Sequence, residues 1–313
     1  MGFSETGKVW MNGKLVDWKN ATIHVATHVV HYGSGVFEGI RAYDSKNGTN
    51  VFRLPEHMRR LYDSCRVYRM DVPYAFETLN DAVLETIRAN EYKACYIRPL
   101  IYRGYSQLGV NPMPCPVETA IIVWEWDKYL GDEALTNGVD VAVSSWTRLA
   151  PNTMPALAKA TANYANSGLI KMQATVDGYA EGIALDESGL VSEGSGQNLF
   201  LVRDSIVYTP SLTSSILQGI TRDTVLQLTK DLGFDVREQQ LPREFLYLAD
   251  EAFFCGTAVE ITPIRTIDKI QVGNGRRGPI TAALQERFFG IIRGELPDVH
   301  NWLTPVRAAV AAK

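Results

Sequence analysis

Lys159 is the sole charged residue between positions 149 and 170, among Ala156, Leu157, Ala158, Ala160, Thr161 and Ala162. Loss of hydration lowers a lysine's pKa, and a neutral amine can form a Schiff base with an aldehyde cofactor or a carbonyl substrate. The plainer reading, which composition alone favours, is a snorkelling lysine on the wet side of an Ala-rich helix. Glu193 lies in Leu190-Val191-Ser192-Glu193-Gly194-Ser195-Gly196-Gln197-Asn198-Leu199, between a short apolar run and two glycines. A carboxylate there could hold a ligand nitrogen protonated; an exposed loop charge is the commoner arrangement. Gly219-Ile220-Thr221, at the head of an expected helix, offers backbone N–H groups, a hydroxyl and a helix dipole to a phosphate. Gly256-Thr257 could supply a second clamp, although ordinary capping is the commoner explanation of either. His24, His28 and His31 match no helical metal motif with a catalytic Glu and read as structural or solvent-facing. No P-loop or Rossmann glycine signature occurs.

These residues need elements to hold them. Apolar pieces around Asn12-Gly13 predict a small hairpin over Val9–Val16. Three glycines follow in Tyr32-Gly33-Ser34-Gly35-Val36-Phe37-Glu38-Gly39-Ile40-Arg41, where backbone could approach a ligand closely. Strand returns around Ile40, Ala42 and Val51-Phe52, with Asp44–Asn50 as a loop. Met58, Leu61, Cys65 and Tyr68 give a helical stripe beginning near Pro55, and Phe76–Asn90 a second one with Leu79, Val83 and Ile87. Residues 94–103 and 119–126 read as strands, with Pro99 arguing for an edge, a bulge or an irregularity. Pro155–Gln173 reads as largely helix. Val139–Ser145, 182–186, 198–203, 206–209, 251–255 and 258–261 read as extended, and 221–232 and 279–291 as helical.

The 313 residues predict two domains, or three at most. The best division is an N-terminal domain over 1–127, a linker over 128–138 and a C-terminal domain over 139–313. A hydrophobic share of 46% with 21% charged residues is an ordinary soluble mixture. A net charge of -4 without a basic stripe argues against a phosphate-backbone binder. No leader-like or membrane-spanning apolar run is visible. Cys65, Cys95, Cys115 and Cys255 lack metal or redox spacing and read as reduced thiols of a cytoplasmic protein.

Taken together, the blocks resemble the bacterial branched-chain-amino-acid aminotransferases of the fold-type IV pyridoxal-phosphate enzymes. The resemblance runs from about Val9 to about Trp302. It rests on the Tyr32–Arg41 block, Glu56-His57-Met58-Arg59-Arg60-Leu61, Tyr96-Ile97-Arg98-Pro99, Ala158-Lys159-Ala160 with Asn163-Tyr164, and Glu181-Gly182-Ile183-Ala184-Leu185-Asp186. The Ser192–Phe200 block, Gly219-Ile220-Thr221-Arg222-Asp223 and Gly256-Thr257-Ala258-Val259-Glu260-Ile261-Thr262-Pro263 complete it. It implies a mixed α+β fold with a smaller N-terminal α/β domain and a larger C-terminal domain built on a barrel-like mixed sheet.

The resemblance also implies pyridoxal 5′-phosphate as cofactor, no metal, and a two-step ping-pong cycle. Branched-chain amino acids (leucine, isoleucine, valine) and 2-oxoglutarate would be the substrates. Lys159 would carry the cofactor and shuttle a proton, Glu193 would face the pyridine nitrogen, and Tyr164 would donate to O3′. The phosphate would lie among Arg60, Ile220, Thr221 and Thr257; helical periodicity by itself cannot separate Arg60 from Arg59. Tyr96, Arg98, Thr257 and Ala258, with Gly39 leaving room, would take the substrate carboxylate. Tyr32, Phe37, Trp126 and Tyr129 would form the apolar pocket, where each buried methyl is worth roughly 0.8 kcal/mol. Tyr32 and Arg98 are candidates to accept the γ-carboxylate of glutamate. The loop around Gln107-Leu108-Gly109-Val110-Asn111-Pro112 resembles one that reaches a partner subunit, implying a homodimer at minimum, with a hexamer as the larger assembly. Alternatives on this fold are a D-amino-acid or amine transaminase, an aminodeoxychorismate lyase, or an inactive metabolite-binding relative.

Overall fold

In the computed structural model, which describes residues 6–126 and 133–306, Asn12 and Gly13 both take positive φ (48° and 95°). That backbone closes a tight turn, and β1 (Lys8–Met11) pairs antiparallel with β2 (Lys14–Asp17). The chain continues through α1 (His28–Tyr32), β3 (Gly35–Phe37), β4 (Ile40–Ser45), β5 (Gly48–Phe52), α2 (Leu54–Val67), α3 (Phe76–Ala89), β6 (Cys95–Arg103) and β7 (Val117–Trp124). Then come α4 (Ala134–Asn137), β8 (Val139–Val143), α5 (Asn163–Val176), β9 (Glu181–Leu185), β10 (Val191–Gly194), β11 (Asn198–Arg203) and β12 (Ile206–Thr209). The last elements are α6 (Ile220–Asp231), β13 (Val236–Glu238), β14 (Glu251–Gly256), β15 (Glu260–Ile267), β16 (Ile270–Gln271), α7 (Pro279–Ile292) and β17 (Leu303–Pro305).

Two units emerge. The first comprises Met1–Asp127, Ala158–Ala162 and Gly290–Lys313, and the second Lys128–Leu157 and Asn163–Phe289. The sequence suggested one crossing, whereas the chain returns to the first unit at 158–162 and again at 290–313. Residues 128–132 of the expected linker lie outside the described residues, and 134–137 form α4.

The first unit carries an antiparallel sheet in the order β17-β5-β4-β6-β7-β1-β2, with β3 also paired to β6. The apolar stripes of α2 (Met58, Leu61, Cys65) and α3 (Leu79, Val83, Ile87) join Ile40, Ile97, Ile101 and Ile121 in one buried core. The expected Asp44–Asn50 loop contracts to Lys46-Asn47, because both flanking strands extend and Gly48 takes φ 91°. Pro99 stands inside the sheet. Its carbonyl accepts from Glu38 N (2.9 Å), so its missing N–H falls where β3 ends and β4 has not begun, and no ladder bond is lost.

The second unit is a mixed sheet in the order β10-β9-β8-β15-β14-β11-β12-β13. The β8–β9, β8–β15 and β12–β13 pairs are parallel and the others antiparallel. Val141, Ile183, Leu199, Leu201, Phe254 and Ile264 build its core.

The expected helix over Pro155–Gln173 begins only at Asn163. Ala160 pairs with Val36, Phe37 N donates to Lys159 O (3.0 Å), and Thr161 N donates to Gly35 O (2.9 Å). Alanine's helix propensity is a weak prior, and here strand-like pairing against β3 overrides it.

Candidate active site

In the first unit, Lys159 is held by its backbone. Besides the Phe37 bond, its N–H donates to Ser64 Oγ on α2 (3.0 Å). Ala158 and Ala160 on either side are buried, so the lysine is half-buried between them. Its Nζ lies 5.1 Å from the Phe37 ring centroid. The Ala-rich surroundings read from sequence are thus an extended segment, and the snorkelling-helix reading falls away.

Arg98, on β6, stacks its guanidinium over Phe37 (4.6 Å), Tyr96 (5.3 Å) and Trp124 (5.7 Å). Its Nη2 donates to Tyr96 Oη at 3.4 Å, while Nε is buried with no hydrogen-bond partner. The Tyr96 ring packs against Trp124 (4.9 Å) and Trp126 (4.6 Å), which also meet each other (5.9 Å). A buried donor without a partner is costly and suits an anionic ligand. Phe37, Tyr96, Arg98, Trp126 and Gly39 are therefore one group. Tyr32 is elsewhere, at the end of α1, stacked on His28 at 4.5 Å and 45% exposed. Tyr129 lies outside the described residues.

Geometry separates the two arginines that periodicity left equivalent. Arg59 is exposed, whereas Arg60 donates from Nε to Glu38 Oε1 (2.7 Å) and from Nη2 to Glu38 Oε2 (2.8 Å). His57 Nδ1 adds a third contact to Glu38 Oε2 at 2.7 Å. Burial would raise the Glu38 pKa, but the Arg60 charge and His57 outweigh it and hold the carboxyl well below its usual range. The His57 pKa is lowered by burial first, with Arg60 and Lys159 adding to it against the pull of Glu38.

In the second unit, Glu193 is buried on β10. Its Oε1 accepts from Arg148 Nη2 (2.8 Å), and its Oε2 from Asn198 Nδ2 (3.0 Å) and Leu217 N (3.1 Å). Arg148, also buried, reaches Asn166 (2.9 Å) and Ser167 (3.3 Å) on α5, the helix that carries Tyr164 near its start. Asn198 also donates to Leu217 O (2.9 Å), fixing the chain that leads into α6. At Gly219 the N-cap supplies no side-chain acceptor to the first turn. Helix geometry then directs the N–H groups of Ile220 and Thr221 outward, beside the buried Thr221. Thr257 and Ala258 form the half-buried turn after β14. An outward-facing helix start with a hydroxyl suits a phosphate, and a buried carboxylate with fixed donors suits a protonated ring nitrogen; both fit a phosphorylated pyridine cofactor.

Sequence reasoning gave no role to Arg148, Asn198, Glu38 or His57. The last three lie in recognised blocks. Arg148 had only one signal: it marks the edge of the uncharged window around Lys159.

Among known proteins, residues 35–267 match the amino-transferase class IV family. The chain is 52% identical over 301 residues to a branched-chain-amino-acid aminotransferase of Salmonella typhimurium, covering 96% of this chain and 97% of the relative. The crystal structure of the Escherichia coli branched-chain amino acid aminotransferase superposes with a TM-score of 0.95 at 51% identity, covering 96% of this chain and 100% of that one. The branched-chain amino acid aminotransferase from Thermobaculum terrenum, solved in its PLP-form, gives 0.91 at 36% identity, covering 97% and 100%.

Proposed function

The chain belongs to the amino-transferase class IV family, and from that premise we propose that it transfers an amino group reversibly between L-leucine, L-isoleucine or L-valine and 2-oxoglutarate, in two half-reactions. The cofactor is pyridoxal 5′-phosphate. When bound, it supplies the aldehyde carbon that carries the amine and a ring that takes up electron density from the substrate Cα.

The rest is the work of side chains. Lys159 would hold the cofactor through Nζ; once the substrate amine has displaced that bond, the freed Nζ would take the proton from the substrate Cα and return it on the cofactor side, and an amine held beside the reacting carbon is an effective base. Glu193 accepts a hydrogen bond from the pyridine N–H and keeps that proton in place. Tyr164 donates to the ring oxygen O3′, and Arg60, Ile220, Thr221 and Thr257 hold the phosphate. Tyr96, Arg98, Thr257 and Ala258 orient the substrate carboxylate, Gly39 leaves space for it, and Phe37, Trp126 and Tyr129 exclude water around the branched side chain. The observation that carries this reading is the Lys159 setting: a backbone fixed at its N–H and its carbonyl, with the amine next to the ring that also carries Arg98.

A second copy of the chain belongs to this reading, with the homodimer as minimum and a hexamer as an extension. Val25, Val30, Tyr105, Leu108, Val110 and Met113 are each more than half exposed. Two contacts draw them into one neighbourhood: His28 Nε2 to Gly109 O (2.8 Å) and the His24 and Tyr105 rings (4.9 Å). An exposed apolar patch of this kind marks an interaction surface, and Tyr32 belongs to it rather than to the Phe37 group. No helix among the described residues is long and apolar enough to cross a membrane; we assign the protein to the cytoplasm.

The test is a half-reaction panel in which cofactor absorbance is followed with L-leucine, L-glutamate, D-alanine and 1-phenylethylamine. The expected result is conversion by the first two. A response confined to D-alanine or the arylamine would replace the substrate class with that of a D-amino-acid or amine transaminase. In the same panel, Lys159→Ala is expected to slow proton transfer by roughly 10²–10⁴-fold or more.

A further inference from the structure

Glu38 is fully buried, and its charge lies directly against Arg60, the arginine read above as a phosphate holder. By charge alone this is an odd neighbour for a phosphate site: the pair sums to zero, and His57, held towards its neutral form, restores little positive charge. Burying an ion pair also costs hydration. Geometry gives the arrangement a purpose. A guanidinium bound bidentately through its Nε–Nη2 edge cannot rotate, so it presents its Nη1–Nη2 edge at a fixed angle.

The helix adds a second constraint. His57, Arg60 and Ser64 recur at spacings of three and four residues on α2, which puts them on one face. His57 and Arg60 grip Glu38, while Ser64 accepts the N–H of Lys159. One rigid face therefore sets both the arginine and the backbone of the lysine.

We propose that Glu38 is a positioning residue for the cofactor phosphate: it locks the Arg60 fork, backed by His57, so that the arginine binds phosphate by direction rather than by net charge. The proposal rests on the assignment of the phosphate to Arg60.

The test compares binding of pyridoxal 5′-phosphate and of pyridoxal, which lacks the phosphate, to apoenzyme prepared from the holoenzyme, followed by tryptophan fluorescence. Glu38→Gln removes the charge and keeps the shape; Glu38→Asp keeps the charge and withdraws it by one methylene. Both are expected to weaken pyridoxal 5′-phosphate about tenfold or more while pyridoxal changes by less than about twofold, a selectivity that general loosening of the fold would not produce. A pure charge effect predicts the opposite, tighter phosphate binding in Glu38→Gln and no change in Glu38→Asp, and either result overturns the proposal. Arg60→Met keeps the two assignments apart. It should reduce the discrimination at least as far as the Glu38 variants do, the remainder being held by Ile220, Thr221 and Thr257, and adding Glu38→Gln to it should cost nothing further. If Arg60→Met reduces the discrimination but the Glu38 variants keep it in full, the positioning role is wrong. If Arg60→Met leaves it unreduced, the phosphate assignment to Arg60 itself fails. Should Glu38→Gln not fold, Glu38→Asp decides the question alone.

Discussion

A Cβ added to Gly39 would stand 2.0 Å from Tyr96 Oη and 3.0 Å from its Cζ. Tyr96 cannot step aside easily, because its ring packs against both Trp124 and Trp126, which also touch each other. Gly39→Ala is therefore expected to cost about 1–3 kcal/mol of stability in a urea titration and to raise KM for L-leucine through the displaced Tyr96 hydroxyl. An unchanged KM would mean that Tyr96 is not at the substrate. At this scale the sequence was uneven. Lys159 and Glu193 could be singled out because a charge in a small, neutral or glycine-flanked setting is unusual. Their partners could not: Arg148 is 45 positions from Glu193, and Ser64 is 95 from Lys159. Contacts between residues so distant in sequence leave no local pattern.

At the scale of elements, the entry into α6 shows how a close approach rather than a special dihedral demands glycine. Gly219 has an ordinary φ of -70°, but an added Cβ would lie 2.0 Å from Asn198 Oδ1. Asn198 is the side chain that links Glu193 to the chain preceding the helix. Gly219→Ala is expected to shift Asn198, release one bond to Glu193 and weaken cofactor binding by about fivefold, the equivalent of a single hydrogen bond. Equilibrium titration of the apoenzyme checks this, with far-UV circular dichroism showing the helix retained. The helices α2, α3 and α6 were readable because each buries an apolar stripe, and the Asn12-Gly13 hairpin because its turn residues suit the positive φ of a tight connection. The segment around Lys159 was misread because its regularity comes from pairing with β3, a partner more than a hundred residues earlier. Of the three settings the sequence allowed for Pro99, the irregularity is the one found: the break between β3 and β4, invisible locally, gives it a place within the sheet.

At the scale of the molecule, the exposed apolar group around Val110 makes self-association the expected state. Val110 is 89% exposed, and Val110→Lys is expected to place a desolvated charge in the contact and raise the dimer dissociation constant by at least about tenfold. Analytical ultracentrifugation over a dilution series reads it; an unaltered sedimentation profile would remove this surface from the assembly. All four cysteines are free and buried. Burial pushes the Cys65 and Cys95 thiols up to about 12, and Cys255 is also raised. A native molecule with its sulfur chemistry sheltered in this way is a clean background for labelling. One cysteine engineered on the outside would take up a maleimide dye alone, and uptake at the native positions would report only molecules that had opened.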